Sequence, residues 1–582
     1  MAEKIISPGV FTNEIDASFL PAAIGDIGAA VVGPTVKGPV GIPTVVTSYA
    51  EYQERFGDSF KSGSNYYTYF TSIAAKNYLQ HSGQLTVVRI AGSGVAPATA
   101  SVANSGSLGT AFTLTTLSDG TIFNNSGSSV GDNGVLPLGT KDNIRWEIST
   151  RNENKGTFTL VIRRGDDTEK RKVALETWKD LSLDPNSGNY IGARIGTQYN
   201  TVQTDGGTTY VKPNGDYPNK SKYVRVSGIA DTADYLNENG AIRDTNATGS
   251  IPELGSGSAY AGAFSGGADG TKAADPHNFY NNTTATNWQG FNLTTGTTTG
   301  SDSIVQALNL LANDDEYDIN MILLPGVSND DASHLVSKAI DTAEARQDTF
   351  YVADPVSYGS GLADAVSAAE TYDSNYAAMY WPWVQVNEPQ LGRNVWVPPS
   401  AVMAGVIAFN DKVSHEWFAP AGLNRGGIET AIQAERKLTH GNRDTLYEAS
   451  VNPLATFPGE GVCAWGQKTL QKKSSALDRV NVRRLLIRVK KFIAASSRFL
   501  VFEQNNAATR TRFLNIANPF LERVQQQSGL TAFRVVMDDT NNTPDLVDRN
   551  ILFGQIFLQP TRTAEFIVLD FTVQPTGATF PE

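Results

Sequence analysis

INMILLPGVSNDDASHLVSKAIDTAEARQDTFYVADP, residues 319–355, is the stretch whose reading decides the fold. Its first segment, INMILLPG (319–326), is a short apolar run bounded by a turn, the pattern of a buried strand. Ser328 to Asp331 then start a helix that runs to about Arg346, and TFYVADP reads as the next strand. Strand, helix and strand make one βαβ unit, which gives this part of the chain α/β character.

Toward the N-terminus the pattern continues. LTVVRI (85–90) is a strand, and Tyr67, Phe70, Ile73, Ala74 and Tyr78 keep helical spacing. Ser48 and Glu51 form a capping box ahead of another helix, and Gly57 suits its stop. Before it lie short strands broken by Pro34, Pro39 and Pro43. Residues 1–22 read as an extended arm carrying Val10, Phe11 and Ile15. From about residue 93 the composition changes to Gly, Ser and Asn, with strands such as NIRWEI and GTFTLVIRR between turns. Residues 93–225 are therefore expected to form a β-rich insertion on the outside of the molecule, and 226–375 to return to α/β structure.

Toward the C-terminus, VNVRRLLIRVKKFIAASSRF (480–499) is an amphipathic helix. Leu485, Val489, Phe492 and Ile493 share one face, and Arg484, Arg488 and Lys491 fall at i, i+4 and i+7 on another. Asn518-Pro519 is expected to open a further helix that Gly529 closes. AFRVVMDD, ILFGQIFLQ and AEFIVLDFTVQ then read as three closing strands. The last has Ile567, Leu569, Phe571 and Val573 on one face, with Phe566 on the other. A strand this apolar needs a partner, because unpaired edges template aggregation.

Bulk properties narrow the function. At 582 residues the chain suggests several domains, about three or four. A net charge of −12 argues against general nucleic-acid or anionic-membrane binding. With Cys463 the single cysteine, no internal disulfide forms. The first residues lack a signal-peptide core and no run approaches a membrane span, so a cytoplasmic site of synthesis is expected.

The catalytic patterns in the sequence lack the context their chemistry needs. Gly127 to Gly131 (GSSVG) fits the nucleophile elbow around Ser129 only literally, since its surroundings are a polar loop. Arg164-Gly165-Asp166 spells an adhesion tripeptide but follows a strand as a hairpin turn would. Asp330, Asp331 and Asp354 lie beyond strand ends, where α/β proteins bind ligands, yet two of them suit the first turn of a helix. His81, His277, His334, His415 and His440 show no metal spacing. No catalytic constellation, metal site or cofactor motif emerges. The basic run from Lys468 to Arg498 is either a solvated helix face or a footprint for an acidic partner.

Several stretches in order resemble the contractile tail sheath proteins of bacteriophages and related injection machines. These are VVGPTVKGPVGIPTVVTSYAEYQERFG (31–57), FSGGADG (264–270), YWPWVQV (380–386), VPPSAVMAGVIAFND (397–411), FAPAGLNRGGI (418–428) and VNPLATFPGEGVCAWGQKTL (451–470). FEQNNAATRTRF, NPFLERVQQQSGL and QPTRTAEFIVLDFTVQ complete the set. The resemblance implies an α+β multidomain chain: an N-terminal arm strand (1–22), a tube-proximal α/β core whose first part is 23–92, the insertion (93–225), a middle α/β domain (226–375), the second part of the core together with a C-terminal domain (376–560) and a C-terminal arm strand (561–582). It further implies a structural subunit that polymerises helically around an inner tail tube and contracts to drive it through a host envelope. Partners would be further copies of itself, the inner tube, and baseplate and terminator proteins, in a virion tail assembled in the host cytoplasm, with no cofactor. Val10, Phe11, Ile15, Phe566, Ile567, Leu569, Phe571 and Val573 would be strand-exchange residues, and Arg484, Arg488 and Lys491 candidates to face the tube. The alternatives are the sheath of a phage-like particle or secretion-type injection system, a β-rich surface adhesin, and an enzyme built on the βαβ unit.

Overall fold

The computed structural model describes residues 28–62, 65–106, 109–127, 130–243, 247–256, 262–271, 278–296, 300–388 and 390–566. Its centre is an eight-stranded sheet. The strand order is Thr44–Val46, Leu85–Arg89, Gly28–Gly33, Ile319–Ser328, Phe350–Asp354, Ala377–Trp381, Val451–Phe457 and Gly461–Ala464. The inner strands run parallel and the two edge strands antiparallel. Parallel strands covered on both faces read as continuous apolar runs, and Gly28–Gly33 (GAAVVG) is buried at every position.

Helices cover both faces. On one, Phe56, Phe70, Ile73, Val402 and Ile407 pack over Val87, Leu323 and Val352. On the other, Ile304, Leu308, Leu335 and Val336 pack over Val32, Ile322 and Tyr351. The Ser48 cap is formed, with Glu51 N–H donating to Ser48 Oγ at 3.2 Å. The Glu51 carboxylate reaches one residue further back than a capping box requires, accepting from Thr47 N–H at 2.9 Å. Gly57 closes that helix at φ 73°, where a Cβ would also lie 2.8 Å from the Val36 Cβ.

Two boundaries differ from those the sequence suggests. The sheet draws strands from both 28–89 and 319–464, so the α/β portion of 226–375 belongs to the same core as its neighbours. The insertion also extends past 225, because Val224–Ser227 and Ala268–Asp269 pair with Thr110–Asp119 and Val95–Ala103. Those four strands pack against the Ile144–Asn152, Thr157–Arg164 and Ala174–Ser182 sheet around Phe112, Trp146 and Phe158. The chain leaves and re-enters the core through a narrow neck, where Thr271 N–H donates to Ser93 O at 2.9 Å. Composition marks where the insertion begins, but its return strands are too short and polar to carry a period.

Beyond the sheet, the Val480–Ser497 helix packs against the Ala507–Gln526 helix, with Phe492 and Phe520 stacked 3.8 Å apart. The second helix does not open at Asn518. Asn506 caps it, accepting from Thr509 N–H at 3.0 Å, and Pro519 sits inside it. An interior proline costs about 3 kcal/mol, offset here by burial of Phe513, Ala517, Leu521 and Val524 on one face.

Candidate assembly interface

The C-terminal domain ends in a two-stranded antiparallel ribbon, Leu530–Val536 with Gln555–Pro560. Its inner face is apolar: Leu530, Phe533, Val535, Ile556 and Leu558 meet Leu485, Val489, Leu521 and Val524 of the two helices. Among the described residues, neither outer edge of the ribbon pairs with another strand. A two-stranded ribbon alone is marginal in water, and its free edges offer unpaired N–H and C=O groups. Phe557, on the outward face, is 55% exposed.

After Pro560 the chain crosses back to the main body. Glu565 accepts hydrogen bonds there from Arg479 Nε (2.7 Å), Tyr447 Oη (2.8 Å) and Gln467 Nε2 (3.1 Å). Phe566, one of the expected strand-exchange residues, is 78% exposed. Val10, Phe11, Ile15, Ile567, Leu569, Phe571 and Val573 lie outside the described residues.

The basic residues expected to face a tube form ion pairs within the chain. Arg484 is 6% exposed and forks onto Asp411, Nη1 to Oδ1 at 2.8 Å, with Nη2 on the second oxygen. Lys491 pairs with Asp318 at 2.7 Å and Asp348 at 3.1 Å, and Arg488 approaches Glu416 at 3.8 Å. The face shared by these three residues is turned toward the sheet domain. They tie the Val480–Ser497 helix to the body.

The crevice beyond the parallel strands is filled. Gly326 and Ser400 backbone N–H groups each donate to Asp354 at 2.9 Å, and Ser400 Oγ does so at 2.6 Å. Asp330 receives Ser357 Oγ at 2.7 Å, and Asp331 receives Ser328 Oγ at 3.3 Å. Phe70 stands directly under Gly326, where a Cβ would meet its ring at 2.7 Å. Among the described residues, no three His, Cys, Asp or Glu side chains are placed to hold a metal. Arg164 and Asp166 pair with each other in the turn after Thr157–Arg164. Ser129 and His277 lie outside the described residues. No helix among the described residues is long and apolar enough to cross a membrane.

Comparison with known proteins decides what this architecture is. Residues 299–470 match the family model of the phage tail sheath protein central domain, and 472–574 match that of the phage tail sheath C-terminal domain. Both matched segments are domains of phage tail sheath proteins. It is 30% identical over 424 residues to the tail sheath protein of Vibrio phage KVP40, covering 66% of this chain and 60% of that one. With the tail sheath protein of Enterobacteria phage T4 it shares 32% identity over 328 residues, 51% of this chain and 50% of that one. The matched region thus spans 50–60% of the length of these two sheath proteins. In fold, the crystal structure of the Listeria innocua sheath tail protein is similar, with a TM-score of 0.54 at 12% identity over 92% of this chain and 96% of that one.

The C-terminal sheath domain match spans the ribbon, Arg479 and Glu565, whereas Tyr447 and Gln467 fall in the central domain match. Sequence reading missed this junction. The available signal was Glu565 itself, a charge at the same strand parity as Ile567, Leu569, Phe571 and Val573.

Proposed function

We propose that the chain is the structural subunit of a contractile tail sheath, assembling helically around an inner tube and shortening to drive that tube through a host envelope. The observation that carries this reading is the ribbon of Leu530–Val536 and Gln555–Pro560, whose outer edges pair with no other strand among the described residues, beside a fixed exit for an alternating apolar C-terminal segment. Each copy would lend its C-terminal and N-terminal arm strands to the ribbon of a neighbour, turning two strands into a closed small sheet by strand addition. A self-interface of this head-to-tail kind does not close on itself and yields a helical filament.

In this mechanism the subunit performs mechanical work and no bond chemistry, and Ser129→Ala leaves both assembly and infection unchanged. The eight-stranded sheet with its helix-covered faces moves as one body, since dense cores do not deform continuously. Motion is confined to the arm connections, where a few residues absorb large backbone rotations. The extended array is a kinetically trapped state that converts once to a lower free-energy contracted one. Arg484, Arg488 and Lys491 serve as internal ties in this scheme. Docking on the tube and contacts with baseplate and terminator proteins belong to other surfaces.

Electron microscopy of the purified chain tests the reading. Full-length protein gives striated hollow tubes, and protein truncated after Phe566 gives dispersed particles with an unchanged circular-dichroism spectrum. Normal tubes from the truncated chain contradict strand addition.

A further inference from the structure

The ribbon and the main body are joined by a short crossing whose far end sits in a built socket. Thr561 N–H still donates to Gly529 O at 3.2 Å, so the ribbon pairing persists one residue past Pro560. By Thr563 the chain has reached the body, where Gln467 Nε2 donates to Thr563 Oγ1 at 2.7 Å as well as to Glu565. Gln467 is only 2% exposed, so a buried amide is aimed at this crossing. Three segments converge on the Glu565 carboxylate: Tyr447 from the His440–Glu448 helix, Gln467 from the loop after Gly461–Ala464, and Arg479 at the cap of Val480–Ser497.

Two cations, Lys468 and Arg479, line the socket beside Tyr447. Lys468 Nζ lies 4.5 Å from the Tyr447 ring centroid and the Arg479 guanidinium 5.9 Å from it, while Asp478 is the remaining carboxylate paired with Arg479. Burial and the nearby Arg479 charge already depress the Lys468 ammonium below its usual range. A carboxylate delivered here accepts charge-assisted hydrogen bonds and offsets that repulsion.

We propose that Glu565 is the anchor of the C-terminal arm, the point at which force carried by an exchanged strand passes into the subunit body. This rests on the sheath reading above. Residues 560–563, held between the ribbon at one end and the socket at the other, act as a fixed strap. Glu565 is a positioning residue: it sets where and in which direction the exchanged strand departs, and so the spacing between neighbouring copies.

The test uses full-length protein carrying Glu565→Gln, the near-isosteric change, alongside Glu565→Ala and the swap Glu565→Arg with Arg479→Glu. Hydrogen exchange on unassembled subunits reads the anchor directly. The Thr561 amide, which donates to Gly529 O, exchanges about tenfold faster in Glu565→Gln, while those of Val480–Ser497 and Val451–Phe457 are unchanged, as loss of about 1.4 kcal/mol of charge-assisted bonding gives. The threshold concentration for tube formation rises about tenfold, and the charge swap recovers part of it. Wild-type exchange rates and a wild-type threshold in both Glu565→Gln and Glu565→Ala overturn the anchor. Faster exchange in Glu565→Gln from a wild-type chain that never forms tubes supports the anchor and overturns the sheath reading, so the two failures are distinct.

Discussion

Arg484 and Asp411 are joined as a two-pronged ion pair across 73 residues of sequence, linking the first turns of the Val480–Ser497 helix to the last turn of Pro399–Val413. The pair ties the C-terminal domain to the central sheet. Removing one member of a buried pair leaves an uncompensated charge, at about 3–5 kcal/mol. Asp411 keeps some contact with water, which places Arg484→Ala near the lower figure, about 3 kcal/mol. Arg488→Ala, whose 3.8 Å contact with Glu416 is partly exposed, costs under ~1 kcal/mol. Chemical denaturation of the two variants checks the ranking; equal losses contradict it.

Acid strengthens this fold over a defined range. Burial pushes the Asp354 carboxyl from 3.8 up to about 6, against the hydrogen bonds from Ser400 and Gly326. A group whose folded value lies above its unfolded value takes up its proton first in the folded state. Stability therefore rises as pH falls through 6 and levels off below 3.8, and it is lost in the reverse direction. The full effect is about 3 kcal/mol, of which about 1 kcal/mol is reached between pH 7.5 and 5.5. The thermal midpoint of the wild type rises by about 2 °C over that interval, and Asp354→Asn shows a flatter profile. A wild-type midpoint that falls on acidification from pH 7.5 to 5.5 contradicts the assignment.

The neck of the insertion depends on glycine. A Cβ on Gly92 would lie 1.9 Å from the Thr271 carbonyl oxygen, and one on Gly270 would lie 2.3 Å from the Gly92 carbonyl oxygen. Gly92→Ala forces the two crossings apart and loosens the insertion without touching either core. Limited proteolysis with mass spectrometry shows faster cleavage at the neck in Gly92→Ala, releasing the insertion as an intact fragment. Digestion at the wild-type rate contradicts this.

The sequence made some of these features legible and hid others for physical reasons. The βαβ unit at 319–355 was readable because buried parallel strands are apolar throughout and its helix begins with acids. The role of Arg484, Arg488 and Lys491 was not readable. Helical spacing shows that they share a face, but Asp411, Glu416, Asp318 and Asp348, which occupy that face, come from distant segments. Pro519 misled for a related reason: a local start signal was overridden by packing of a longer helix. Glu565 stood visible as a charge in an apolar strand, yet its three partners are scattered from Tyr447 to Arg479.

In the assembled sheath the last strand of each copy is expected to complete the ribbon of another. Electron cryo-microscopy of tubes assembled from the full-length chain tests it most directly. Strand addition places residues 567–574 of one copy along an outer edge of the Leu530–Val536 and Gln555–Pro560 ribbon of its neighbour, hydrogen-bonded to it in both long and shortened tubes. Ribbon edges left open in the assembled tube, or residues 567–574 paired within their own subunit, contradict it.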